Sequence, residues 1–194
     1  MQELKDTQSE ADTRNISIDR VGVKGLRFPI QIQDKLNRIQ STVATVSLAV
    51  DLPEEFKGTH MSRFVEALHQ HGPLLDVHTA LAIPRELLRR LSARRSHVEM
   101  EFPFFRSKNA PVTGIEGLMD YVVRFEMEAE ADNKLADFKL TVVVPVTTLC
   151  PCSKAISREG AHSQRASVRI RECGSTGKSV ALAMQFSERS VTSS

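Results

Sequence analysis

The chain has 194 residues, 41% of them hydrophobic, enough for one generous domain or two small ones around a buried core. Its 26 basic and 24 acidic side chains leave a formal charge of +2, which supplies no electrostatic footprint for nucleic acid or an anionic membrane, and no apolar run approaches the roughly 18 residues of a membrane span. The start lacks a secretory pattern, and two of the three cysteines are separated only by Pro151, so the reading is a cytoplasmic protein with reduced thiols.

Residues 1–20 are polar, with little to bury, and read as a mobile leader. Over 21–32 and again over 41–52, β-branched and apolar residues alternate with polar ones, the period of two strands. Past Pro53 and Gly58, the residues Met61, Phe64, Val65 and Leu68 share one helical stripe that ends near Gly72 and Pro73. A second helix is predicted from a cap at Asp76, with Val77, Ala80, Leu81, Leu87, Leu88 and Leu91 inward and Arg85, Arg89 and Arg90 on a solvated face; Pro84 is expected to kink or split it.

Strand-like runs follow at 97–105, 118–130, 138–146 and 163–172, with Asp132, Asn133 and Lys134 favouring a hairpin turn. The order strand, strand, helix, helix, strand, strand, then a fresh strand pair, is that of an antiparallel α+β fold. A ββααββ unit over 21–132 is thus expected to be followed by the first strand pair of a second, incomplete unit over 133–173 and an irregular tail over 174–194. In that tail the run from Gly174 to Ser179 lacks the first glycine of a phosphate loop, since Glu172 stands in its place, and reads as a turn.

The apolar run before residue 147 ends in Thr147, Thr148, Leu149, Cys150, Pro151, Cys152, Ser153 and Lys154, where a strand end hands side chains to a cleft. Twelve residues beyond Cys150 stands His162. A thiolate and an imidazole from adjacent strand ends can ligate Zn²⁺ or a similar divalent ion, and such a centre with an open position activates water near neutral pH. Two ligands do not close a site, and buried structural cysteines beside a surface histidine read the same pattern equally simply.

The segment TTLCPCSKAIS followed by GAHSQRASVRI resembles the signature of the type IB GTP cyclohydrolases, and the stretch from Lys57 to Phe64 is similar to a second part of that family. The similarity runs over about residues 18–171, in the family's order. It implies a tunnelling fold (T-fold), the ββααββ unit occurring twice per subunit, with homo-oligomers formed through edge strands and active sites at subunit interfaces. It implies opening of the guanine ring of GTP at C8, loss of formate, and formation of 7,8-dihydroneopterin triphosphate, the entry to folate and related pteridines. Cys150 then matches a catalytic cysteine that ligates the metal and His162 a histidine ligand, the metal being divalent (Zn, Mn or Fe); Cys152 matches a second cysteine to which no role is assigned.

Lys57, His60, Arg63 and Arg165 are the candidate cations for the triphosphate, or else ordinary charges of a helix start and a strand face. His69, His71, His78 and His97 read as unremarkable helix-end or isolated histidines. Family members extend well past this length, and their second half supplies further metal ligands and the carboxylate that anchors the base. The expectation is therefore a truncated chain with impaired activity; the alternative is a non-catalytic T-fold assembly fragment. Redox use of Cys150 and Cys152 meets the strain of a one-residue spacing.

Overall fold

The computed structural model describes residues 17–33, 39–54, 58–110, 112–132, 137–157, 160 and 162–174. The first alternating runs form β1 (Ile18–Gln33) and β2 (Ile39–Leu52), an antiparallel pair whose Phe28, Ile30 and Ile32, with Ala44, Val46, Leu48 and Val50, are buried. β1 shifts register between Val23 and Leu26, where Gly25 takes φ 73°, and Gly22 lies so close to β2 that a Cβ would stand 1.9 Å from the Leu48 carbonyl oxygen. The leader boundary at residue 20 is corrected: Ile18 already pairs with Leu52, so 18–20 belong to β1, while 1–16 lie outside the described residues.

Helix α1 (Met61–Gln70) buries Phe64, Ala67 and Leu68, the i, i+3, i+4 stripe, and gives way at Gly72, whose φ is 70°. The two-residue strand β3 (Leu74–Leu75) then pairs in parallel with β1. It is too short to leave a periodic signal. Helix α2 (Val77–Leu91) starts from a reciprocal cap in which the Asp76 carboxylate accepts the Thr79 N–H at 2.7 Å and the Thr79 hydroxyl accepts the Asp76 N–H at 2.8 Å.

The split expected at Pro84 does not occur: α2 runs through it as one helix. The lost N–H costs one intrahelical bond, but Pro84 is buried and its carbonyl accepts the Ser96 hydroxyl at 2.8 Å, so packing holds the helix together there. Ser92, at φ 51°, closes the helix, and the Asp51 carboxylate accepts the Arg94 and Arg95 N–H groups at 2.9 and 2.7 Å as the chain turns back.

The later runs form β4 (Arg95–Asn109), β5 (Glu116–Glu130), β6 (Asp137–Leu149) and β7 (Ser163–Gly174), with a short helix α3 (Pro151–Ile156) between the last two. The result is one seven-stranded sheet ordered β3-β1-β2-β4-β5-β6-β7, antiparallel except at β3. The strand pair expected to open a second unit thus extends the same sheet, and β3 and α3 are additions to the expected order. The 132–134 turn falls mostly on 133–136, outside the described residues, as does 175–194 of the tail.

α1 and α2 cover one face of β1, β2, β4 and β5. Beneath them Phe102 meets Phe125 edge-on at 5.2 Å, and Phe125 meets Phe138 at 5.1 Å. β7 is exposed over 163–171, with Val168 and Ile170 on the side that the helices cover elsewhere.

Two prolines fork this sheet. Backbone pairing of β2 with β4 ends at Thr45 and Glu101, and that of β5 with β6 ends at Val122 and Val143. Pro103 and Pro145 stand two residues beyond the last pair. Phe105 directs its N–H to the Gln40 side chain at 2.8 Å, so Pro103, two residues before it, would direct an N–H to β2 and has none. Cys150 directs its N–H to β7, so Pro145, five residues back, would direct its own toward β5.

Candidate metal centre

The β6–β7 ladder is continuous from Phe138 and Gly174 to Leu149 and Ser163. The next pair in that register is Cys150 and His162, and it is made: the Cys150 N–H donates to the His162 carbonyl at 3.2 Å. Directly opposed residues project to the same face of a sheet. The ladder therefore brings together the two candidate ligands, which the sequence separates by twelve residues.

The excursion between them is closed at its base. Cys150 is the residue before α3, Pro151 opens the helix, and the Lys154 N–H donates to the Cys150 carbonyl at 3.0 Å. The Ser153 hydroxyl accepts the His162 N–H at 3.2 Å, and the Ser157 hydroxyl accepts the Gly160 N–H at 3.1 Å. Cys150 is only 9% exposed, whereas Cys152 and His162 are exposed. A sheltered cysteine and a solvent-exposed histidine thus stand opposite each other at the strand end.

Where β5 and β6 part, a cleft of about 530 Å³ opens, walled by Leu118, Met119 and Tyr121 on one side and Val144, Val146 and Thr147 on the other. Alternation puts Val144 and Val146 on the same face of β6 as Cys150. On that strand the lining ends at Thr147, three residues before Cys150, and Lys108 is the cation in it.

The other candidates are placed elsewhere. His60 is half-buried at the start of α1, and its side chain does not cap that helix. Arg63 donates from Nη1 to the Arg90 carbonyl at 3.1 Å, fastening α1 to the end of α2. α1 packs on β1 and α2, and β1 lies on the far side of the sheet from β7, so within one chain His60 and Arg63 are remote from Cys150. Lys57 lies outside the described residues. Arg165 is exposed opposite Thr147, and strand alternation turns it to the reverse face from His162.

On that reverse face the charges of β4 and β5 largely satisfy one another. Arg124 reaches Glu101 at 3.0 Å and Glu99 at 3.4 Å, and the hydrogen bond that it donates to the Glu101 carboxylate raises the guanidinium above its usual range. His97 and Glu128 meet at 3.0 Å.

Among the described residues, no group of three or more His, Cys, Asp and Glu side chains is assembled to hold a metal. Cys150 and His162 are suited in kind to Zn²⁺ or Fe²⁺, a soft sulfur with a borderline nitrogen, but provide two donors where a tetrahedral site takes four. Sequence reasoning missed Ser153 and the cleft. Pro145 inside an apolar strand was the available signal for the cleft; a hydroxyl accepting from a residue nine positions away leaves none.

The sequence profile described as type I GTP cyclohydrolase folE2 matches residues 4–186. A GTP cyclohydrolase FolE2 of Akkermansia muciniphila is 96% identical over 165 residues, which make up 85% of this chain and 62% of that protein. Proteins of the same description from Fervidobacterium nodosum and Azoarcus sp. are 48% and 46% identical over 167 residues, 86% of this chain and 63% and 62% of theirs. The chain thus spans less than two thirds of the length of these relatives.

Proposed function

The chain belongs to the type I GTP cyclohydrolase folE2 family, and from that premise we propose that it contributes the Cys150–His162 half of a metal centre for hydrolysing GTP to 7,8-dihydroneopterin triphosphate and formate. The observation that carries this reading is the Cys150 N–H bond to the His162 carbonyl, which sets a sheltered thiol and an imidazole on one face at a strand end. A divalent metal held there supplies the Lewis acidity that adding water to the aromatic C8 of guanine requires. Cys150 and His162 would hold it, and the nearby cleft walled by Leu118, Met119, Val144 and Val146 would offer the base an apolar approach.

The finer parts of the reading follow the same line. The order of the two helices within the antiparallel sheet, with β3 and α3 added, supports a tunnelling-fold unit. Exposed Leu149, Val168 and Ile170 around β7, the sheet edge among the described residues, support assembly with further copies, which would bring further donors and cations such as His60 and Arg63 to the pair. Arg165 and Lys57 complete the set we assign to the triphosphate. No helix among the described residues is long and apolar enough to cross a membrane. GTP is the partner we assign, with no nucleic acid or membrane, in the cytoplasm. Family membership does not favour an assembly-only role.

The test is incubation with GTP and Mn²⁺, Zn²⁺ or Fe²⁺, then oxidation and detection of pterin fluorescence, on this chain and on one extended to the length of its relatives. Metal-dependent fluorescence that disappears in Cys150→Ala and His162→Ala supports the reading. Turnover unchanged in both variants overturns it.

A further inference from the structure

In a regular antiparallel ladder, a hydrogen-bonded pair exchanges two bonds, each residue donating its N–H to the carbonyl of the other. Cys150 and His162 make one of them, from the Cys150 N–H to the His162 carbonyl at 3.2 Å. The return bond is not made: the Cys150 carbonyl turns into the first turn of α3 and accepts the Lys154 N–H at 3.0 Å. The His162 N–H turns instead to the Ser153 hydroxyl at 3.2 Å.

A side chain of the helix that interrupts the ladder therefore replaces the backbone acceptor that the helix removed. We infer that Ser153 is a positioning residue: its hydroxyl fixes the backbone of His162 opposite Cys150, so that thiol and imidazole meet one ion. The inference rests on the metal reading above but adds a residue to it. Without the hydroxyl, the first residue after the excursion keeps one bond to the strand end, and His162 is exposed with little packing to hold it. Ser157 provides the internal contrast, since its hydroxyl accepts the Gly160 N–H at 3.1 Å within the same excursion.

The test is a Co²⁺ titration of the 194-residue chain, following the thiolate-to-metal charge-transfer band, with amide hydrogen exchange at His162 measured in parallel. Ser153→Ala is expected to weaken Co²⁺ binding about tenfold, the lower end of what loss of a group that orients a ligand costs, and to speed exchange at the His162 N–H. Ser153→Thr, which keeps the acceptor, is expected to restore both, and Ser157→Ala to leave both unchanged. Unchanged exchange at His162 in Ser153→Ala overturns the inference, as does a Ser157→Ala effect of equal size. The metal reading fails separately, if no band depends on Cys150; faster His162 exchange in Ser153→Ala then still upholds the clamp.

Discussion

The two sides of the sheet are built to different standards. Where α1 and α2 lie over β1, β2, β4 and β5, Val98, Met100, Phe125 and Met127 are at most 1% exposed, and an ion-pair cluster stitches the helices together. Over β6 and β7 the same face carries Val168 at 47% and Ile170 at 40% exposure. Stability is concentrated in the covered half, while the paired candidate ligands sit at the end of the open one. Chemistry at a strand end needs access, and the covered half supplies the rigidity from which that end projects.

The largest contrast is expected from cavity formation. Phe125→Ala removes a ring that touches both Phe102 and Phe138 and should cost about 3–5 kcal/mol in denaturant unfolding. Val168→Ala on the open half should stay within about 0.5 kcal/mol. Equal losses would break the comparison.

Next comes acid. Hydrogen bonding from Arg89, reinforced by Arg90 and working against burial, holds the Glu86 carboxyl down at about 2, below its usual 4.5. The folded state therefore binds fewer protons than the unfolded one across that interval. The stability Glu86 adds is complete above pH 4.5 and is lost as pH falls toward 2. Glu86→Gln should flatten that part of the stability–pH curve by about 1–3 kcal/mol, whereas substitutions in β7 should leave its shape alone. Arg90 joins the same carboxylate to Glu66 and Gln70 on α1, so Arg90→Ala should reproduce part of the loss, and Arg89→Ala the larger part.

Smaller still is the helix cap. Asp76→Ala removes the acceptor of the Thr79 N–H and should cost about 1 kcal/mol. The smallest effect on folding is expected from Val168→Lys, within about 0.5 kcal/mol, yet it should shift the sedimentation-derived mass toward the monomer. Unaltered mass would show that the open face is not where copies meet.

Much of this division was legible in the sequence. The helical stripe of Phe64 and Leu68, the cap at Asp76 and the alternation through Phe125 and Met127 each reflect a local period that tertiary packing reinforces. The split expected at Pro84 did not occur because the penalty for proline in a helix is local, whereas burial and the Ser96 hydrogen bond are not. Cys150 and His162 were legible as a pair through spacing and family resemblance, but their juxtaposition depends on a ladder register that begins twelve residues away, at Phe138 and Gly174. The bond that Arg63 makes was not legible for the same kind of reason: a cation beside a helix start gives no sign that its guanidinium will reach the carbonyl of Arg90.

The most direct test of the central claim is X-ray absorption at the zinc edge of the zinc-loaded protein. A single sulfur at about 2.3 Å, replaced by lighter scatterers in Cys150→Ala and retained in Cys152→Ala, is the expected result. A shell of nitrogen and oxygen alone in the unsubstituted protein, or a sulfur that survives removal of Cys150, would contradict the account.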